Sequence, residues 1–165
     1  MMKLAYDEVV NWLDAYFASC NEHQGGPDDV ANLTKWFAPD LEFMMYTPPS
    51  FVVPPLSRQQ LLMLFVHPGI REHLRPQYYA IDLEKNIAVV QFEIQFVEEP
   101  SGRAWPALQA SCHYHLVVDD TGTIRIGKIK YWTQSHGPGD DYAALFEGWA
   151  AAKDRALAEF AAKNF

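Results

Sequence analysis

Apolar positions along this chain switch period, and the switches divide it into elements. From Tyr6 to Asn21, Val9, Trp12, Leu13, Tyr16, Phe17 and Cys20 recur at helical spacing on one continuous face. Gly25-Gly26 breaks that pattern. Pro27-Asp28-Asp29 opens a second helix, with acids at its positive end and a stripe of Val30, Leu33, Trp36 and Phe37. Ala38-Pro39-Asp40 ends it. Leu41 to Tyr46 reads as a strand, and the proline-rich Thr47 to Leu56 as an extended loop. Ser57, with Gln60 at capping-box spacing, starts a third helix. That helix is apolar on most sides and is expected to be largely buried. His67-Pro68-Gly69 interrupts it, and a helical turn over Arg71–Leu74 is expected to follow.

Alternation then takes over. Pro76–Leu83 and Ile87–Glu98 read as strands. In the second, Ala88, Val90, Phe92, Ile94 and Phe96 share one face, and Gln91, Glu93 and Gln95 the other. Two β-rich runs between Ala104 and Gln134 flank Asp119-Asp120-Thr121-Gly122, a polar loop with the glycine a hairpin needs. On the first arm Gln109, Ser111, His113 and His115 face one way, and Leu108, Ala110, Cys112, Tyr114 and Leu116 the other. The second arm changes phase: Ile124 and Ile126 lie on one parity, Ile129 and Tyr131 on the other. A bulge at Gly127 would bring all four inward. A final helix runs from Asp140 to about Lys163. Early helices and late strands make an α+β domain spanning residues 1–165. About six antiparallel strands form a curved, cone-shaped sheet around the N-terminal helices. The extra C-terminal helix, over 139–165, closes the pocket or packs on a partner. Such a cone encloses a concave site of the kind small molecules use.

Composition narrows the function classes. The 165 residues are 49% hydrophobic and 14% aromatic, enough for a large core, an apolar pocket, or both. The net charge of -8, with no Lys/Arg cluster, argues against nucleic acid and anionic membrane surfaces as partners. No signal peptide or membrane-length apolar run stands out. Cys20 and Cys112, without metal-type spacing, fit buried positions in a reduced cytoplasm.

His113 is the first candidate for acid–base work, because imidazole gives and takes protons near neutral pH. The alternative is a histidine on a solvated or subunit-forming face. The His113/His115 pair could ligate a metal with Glu93 or His136, but no further ligand has convincing spacing, so no metal is expected. Tyr16, Tyr46, Tyr78 and Tyr131 could aim hydroxyls into a shared cavity and hold a carbonyl or enolate oxygen, or simply pack. Glu93 is read as facing out, toward Lys128 or Lys130. His23, His67 and His73, at helix ends or turns, are read as solvated or capping. Without a phosphate-cradling loop, nucleophile elbow or dinucleotide fingerprint, no cofactor is expected.

In order, DDVANLTKWFAPDLEF, the capped helix, HLRPQYYAIDLEKNIAVV and DDTGTIRI resemble the nuclear-transport-factor-2-like superfamily, in its SnoaL-like and scytalone-dehydratase-like branch. The similarity covers roughly Tyr6 to Phe146. It implies that Tyr78, in Leu74-Arg75-Pro76-Gln77-Tyr78, stands where the dehydratase has a pocket histidine. Ser111 and His113 match its pocket Ser-x-Asn pair, and Tyr46 lies within a residue of a pocket tyrosine. Tyr142 and Phe146 resemble the aromatics that close the pocket from the last helix. Asn21 replaces an aspartate, and a second pocket histidine has no counterpart between Ile87 and Pro100. The resemblance implies a homodimer and a cofactor-independent lyase, dehydratase-like, or isomerase. Its substrate would be a small hydrophobic, aromatic or polycyclic compound. His113, Tyr78 and Tyr46 would be catalytic. Gln109, Ser111, Tyr16, Phe92, Phe96, Tyr131, Tyr142 and Phe146 would bind substrate. The alternative is a non-catalytic hydrophobic ligand-binding protein of the same fold.

Overall fold

A computed structural model describes residues 4–23, 25–46, 55–99, 101–133 and 154–164. Helix α1, Tyr6–Glu22, buries Val9, Leu13, Tyr16, Phe17 and Cys20, the face its period marks out. Helix α2, Pro27–Ala31, has proline in its first turn, where a missing N–H costs nothing. It runs into a 3₁₀ turn, Asn32–Trp36, and then strand β1, Phe37–Tyr46. The strand begins at Phe37 rather than Leu41. Phe37 pairs with Ile126, and a register shift before Glu42 absorbs Ala38-Pro39-Asp40, whose proline cannot donate to a ladder.

A short strand β2, Leu56–Ser57, leads into helix α3, Arg58–Leu64. The capping box is present. Ser57 Oγ accepts from the Gln60 N–H at 3.3 Å, and Gln60 Oε1 from the Ser57 N–H at 2.9 Å. Strands β3, Ile70–Asp82, β4, Ile87–Glu98, β5, Leu108–Val118, and β6, Ile124–Thr133, follow, and helix α4 covers 154–164. The expected helical turn over Arg71–Leu74 is strand instead. β4 offers it an unbroken antiparallel ladder from Ile70↔Glu98 to Pro76↔Phe92, and long-range pairing overrides a weak local preference.

The sheet order is β2-β1-β6-β5-β4-β3. It is mixed rather than wholly antiparallel, because β1 pairs with β6 in parallel. Parallel neighbours need a long crossover, and here α3 to β5 supplies it. The hairpin loop turns at Gly122, φ 85°, while Asp119 Oδ1 accepts from the Thr121 and Thr123 N–H groups at 3.0 Å. Between His115↔Lys128 and Leu116↔Ile126 the register slips past Gly127. That bulge resets the parity, so Ile124, Ile126 and Ile129 are all buried. A Cβ on Gly127 would lie 2.9 Å from Val117 Cγ1, so the bulge is packed as well as bent.

The sheet buries one face against α1, α3 and α4. Val90, Cys112 and Ile126 contribute from its middle strands, and Phe160 from α4 is fully enclosed. Helix α1 is tied to β3 by Asn21, whose amide donates to the Leu74 carbonyl at 2.8 Å and accepts from the Leu74 N–H at 2.7 Å. The Tyr79 hydroxyl also donates to Asp14 at 2.5 Å. No helix among the described residues is long and apolar enough to cross a membrane.

Candidate functional site

Between the sheet and its helices lies a cavity of about 580 Å³. Its sheet wall is Phe43 and Met45 from β1, Ile129 and Tyr131 from β6, Cys112 and Tyr114 from β5, and Phe92, Ile94 and Phe96 from β4. Tyr16 of α1, Leu61, Leu64 and Phe65 around α3, and Asp154 and Leu157 of α4 close the other sides. The polar groups are few, which suits a site where fixed polar atoms orient an apolar ligand. Among the described residues, His67, in the turn after α3, and Glu72, on β3, are its half-buried or buried acid–base groups, and Asp154 of α4 adds an exposed carboxylate.

Glycine geometry sets the position of His67. The His67 N–H donates to the Gly25 carbonyl at 2.9 Å. Gly25 has φ +72°, and a Cβ there would come within 2.5 Å of His67 Nδ1 and of its carbonyl oxygen. Only a residue without a side chain lets the α1–α2 connection pass this close to the ring. Glu72 projects inward because it shares parity with Leu74, which also lines the cavity.

Hydrogen bonds fix the rings. His67 Nδ1 lies 2.8 Å from the Ile70 carbonyl oxygen, which can only accept, so this nitrogen carries a proton. Nε2 then faces Glu72 Oε2 at 3.5 Å. A hydrogen bond across that gap needs one proton, on either partner, so the pair can serve as acid or as base. Behind it, the His23 ring centre is 5.4 Å from that of His67. The Gly25 N–H donates to His23 Nδ1 at 3.0 Å, placing the proton of the neutral ring on Nε2. Burial, then the neighbouring His67 charge, lower the His23 pKa to about 4.

His23, His67 and Glu72 each offer a donor atom within 4.8 Å of the others, the donor set of a two-histidine, one-carboxylate metal site. His67 suits that role, since its other nitrogen is held by a carbonyl. His23 does not: with Nδ1 accepting from Gly25, a metal on Nε2 would need a ring with no proton at all. The arrangement favours a proton network over a metal.

Burial pushes the Tyr16 and Tyr114 hydroxyls far above the ordinary tyrosine range, chiefly by desolvation, with nearby thiols adding to it. Tyr131 is raised for the same first reason. These hydroxyls are therefore donors across the accessible pH range. Desolvation also pushes the Cys112 thiol up to about 12, which leaves it a poor nucleophile.

Of the residues the sequence singles out, Tyr16, Phe92, Phe96 and Tyr131 meet at this cavity. Gln109, Ser111 and His113 do not line it, because β5 alternates and Cys112 and Tyr114 take its inward positions. The other sheet face carries a row instead. Tyr78↔Gln91, Gln91↔Ser111, Ser111↔Trp132 and Trp132↔Tyr46 are successive cross-strand partners. Tyr46 stacks on Trp132 at 4.8 Å, and the His113 ring lies 4.6 Å from Trp132. Tyr46 and Tyr78 are exposed, at 39% and 53%. Tyr46, Tyr78, Gln109, Ser111 and His113, expected in the pocket, thus lie outside this cavity. Partial burial and Lys130 lower the His113 pKa. Tyr142 and Phe146 lie outside the described residues, as does His136. Glu93 does face out, but toward Arg75 at 3.2 Å.

His23 and His67, expected to be solvated or capping, are 4% and 1% exposed. Their signal was hidden by reading Arg71–Leu74 as helix. As strand, Leu74 facing the core puts Glu72 on the same side, five residues from His67 across a Pro-Gly turn.

No family model matches the sequence, and no curated protein matches it. Solved structures do match in shape. ActVI-ORFA from Streptomyces coelicolor is 16% identical over 78% of this chain and 97% of its own, with a TM-score of 0.59. The BvnE pinacolase from Penicillium brevicompactum is 15% identical over 92% of this chain and 97% of its own, with a TM-score of 0.59. A Catenulispora acidiphila protein in complex with S-DNPA is 16% identical over 78% of this chain and 92% of its own, with a TM-score of 0.52. At such identities the likeness is one of fold, and the chain has the nuclear-transport-factor-2-like fold.

Proposed function

We propose that the protein is a cofactor-independent acid–base enzyme, a lyase or isomerase, acting on a small hydrophobic compound held in the cavity. The observation that carries this reading is the His67–Glu72 pair, 3.5 Å apart, in a chamber lined mainly by aromatic and aliphatic side chains. His67 and Glu72 take the proton-transfer role that the sequence offered to His113. Tyr16, Tyr114 and Tyr131 supply neutral hydroxyls for a substrate oxygen whose charge builds during elimination or enolisation. Phe92 and Phe96 hold rings. The fold is shared with a pinacolase and with a protein that holds a small molecule, which supports a small-molecule site without naming its reaction.

The test is a thermal-shift screen of phenolic, polyketide-like and steroid-like compounds, with each hit followed by mass spectrometry. A hit converted by the wild type, and bound but not converted by His67→Gln, is the expected result. Hits bound equally by both proteins and never converted would leave a ligand-binding protein of the same fold.

We propose in addition that the outer sheet face, with the Tyr78, Ser111, Trp132 and Tyr46 row, packs on a second copy of the chain. Exposed aromatic rings in register across several strands support it, since such a surface gains by leaving water.

A further inference from the structure

Resting on the reading of the cavity as the reaction site, we propose that its ligand is an organic cation. In this proposal an apolar, ring-bearing body brings a protonated or quaternary nitrogen to Glu72. Three observations converge on that chemistry.

The first is an unbalanced carboxylate. The Glu72 side chain is 14% exposed, and no Lys or Arg lines the cavity among the described residues. Its ion-pair partner there is His67, at 3.5 Å. The cations of its own strand are spent elsewhere, Arg71 on Glu99 and Arg75 on Glu93, and β4, the strand beside it, carries no Lys or Arg. A carboxylate withdrawn from water without a permanent cation is costly, and a cationic ligand removes that cost. Desolvation raises the Tyr131 hydroxyl first, and the nearby Glu72 charge adds to that rise.

The second is the wall. Tyr16, Phe43, Phe92, Phe96, Tyr114 and Tyr131 line one chamber. Aromatic faces carry negative potential and attract ammonium groups, most strongly where water is excluded. The third is the approach. Asp154 lines the cavity from an exposed position, and the chain as a whole carries -8. That field draws cations in and turns carboxylates and phosphates away.

The experiment uses three probes on one ring body: naphthylmethylamine, naphthylmethanol and naphthoate. Their binding to the full-length protein is measured by calorimetry at pH 7.5. The amine is expected to bind at least tenfold more tightly than the alcohol, and the acid not measurably. Glu72→Gln should bring the amine down to the level of the alcohol, with circular dichroism checking that the variant is folded. If it is not, the wild-type order of the three probes decides alone. An alcohol or acid that binds as tightly as the amine would overturn the proposal. An amine preference with no compound ever converted would uphold it while removing the catalytic reading. Conversion of neutral compounds without amine preference would do the reverse.

Discussion

The side chains that matter most are held by backbone groups rather than by one another. His67 Nδ1 meets the Ile70 carbonyl oxygen, and His23 Nδ1 receives the Gly25 N–H. These contacts set which nitrogen carries the proton before any ligand arrives. Removing the acid–base function without changing shape should therefore be informative. His67→Gln and Glu72→Gln are each expected to lower turnover about 10²- to 10⁴-fold, His67→Gln with ligand binding retained and Glu72→Gln with binding of a cationic ligand weakened as well. His113→Ala, on the other face, should leave turnover unchanged; steady-state kinetics on one converted compound compares the three. His23 makes a separate prediction about stability. Its folded pKa is near 4, below the ordinary histidine value of about 6.5, so the unfolded chain binds the extra proton first on acidification. The contribution of His23 is fully present above about pH 6.5 and is lost as pH falls toward 4, by at most about 3 kcal/mol. A thermal melt series from pH 7 to 4 should be steeper for wild type than for His23→Gln.

Between elements, small contacts decide where the site residues stand. Gly25 is needed by its positive φ and by its approach to His67, whereas Gly26 has ordinary backbone and open space apart from Asp29 Oδ2 at 3.5 Å. Gly25→Ala is expected to cost about 2 kcal/mol or more and to reduce turnover, and Gly26→Ala to do neither. Urea denaturation with parallel kinetics separates the two variants. Asn21 acts as a strand surrogate, satisfying both backbone groups of Leu74 at the sheet edge. Asn21→Ala should cost about 2 kcal/mol, read by the same denaturation, because Leu74 then loses both partners. The resemblance sets Asn21 against an aspartate at the end of the first helix; here its amide is spent on holding α1 against β3.

Across the whole molecule, the two faces of one sheet serve different purposes. The inner face makes the core and the cavity, and the outer face presents Tyr46, Trp132, His113 and Tyr78. Light scattering is expected to give the mass of a dimer, and Trp132→Asp to give that of a monomer with the cavity ligand still bound. A monomeric wild type at micromolar concentration would remove the dimer reading and leave the cavity untouched.

Local periodicity by itself determined a good deal. The apolar stripe of α1, the Ser57–Gln60 box, the alternation of β4, the Asp119–Gly122 loop and the bulge at Gly127 all follow from side-chain spacing and from glycine's lack of a Cβ. Those effects act within a few residues, so sequence reports them directly. Which face of β5 turns inward was not available in that way. Ser111-His113 and Cys112-Tyr114 alternate equally well, and only packing against α1 and α3 chooses the apolar set. The strand over Arg71–Leu74 exists because β4 lies beside it, and the parallel β1–β6 pairing because distant segments meet. His67, Glu72 and His23 come together through a turn, a strand start and a glycine contact. Each looks ordinary in sequence, and only the tertiary structure brings the three into one buried cluster.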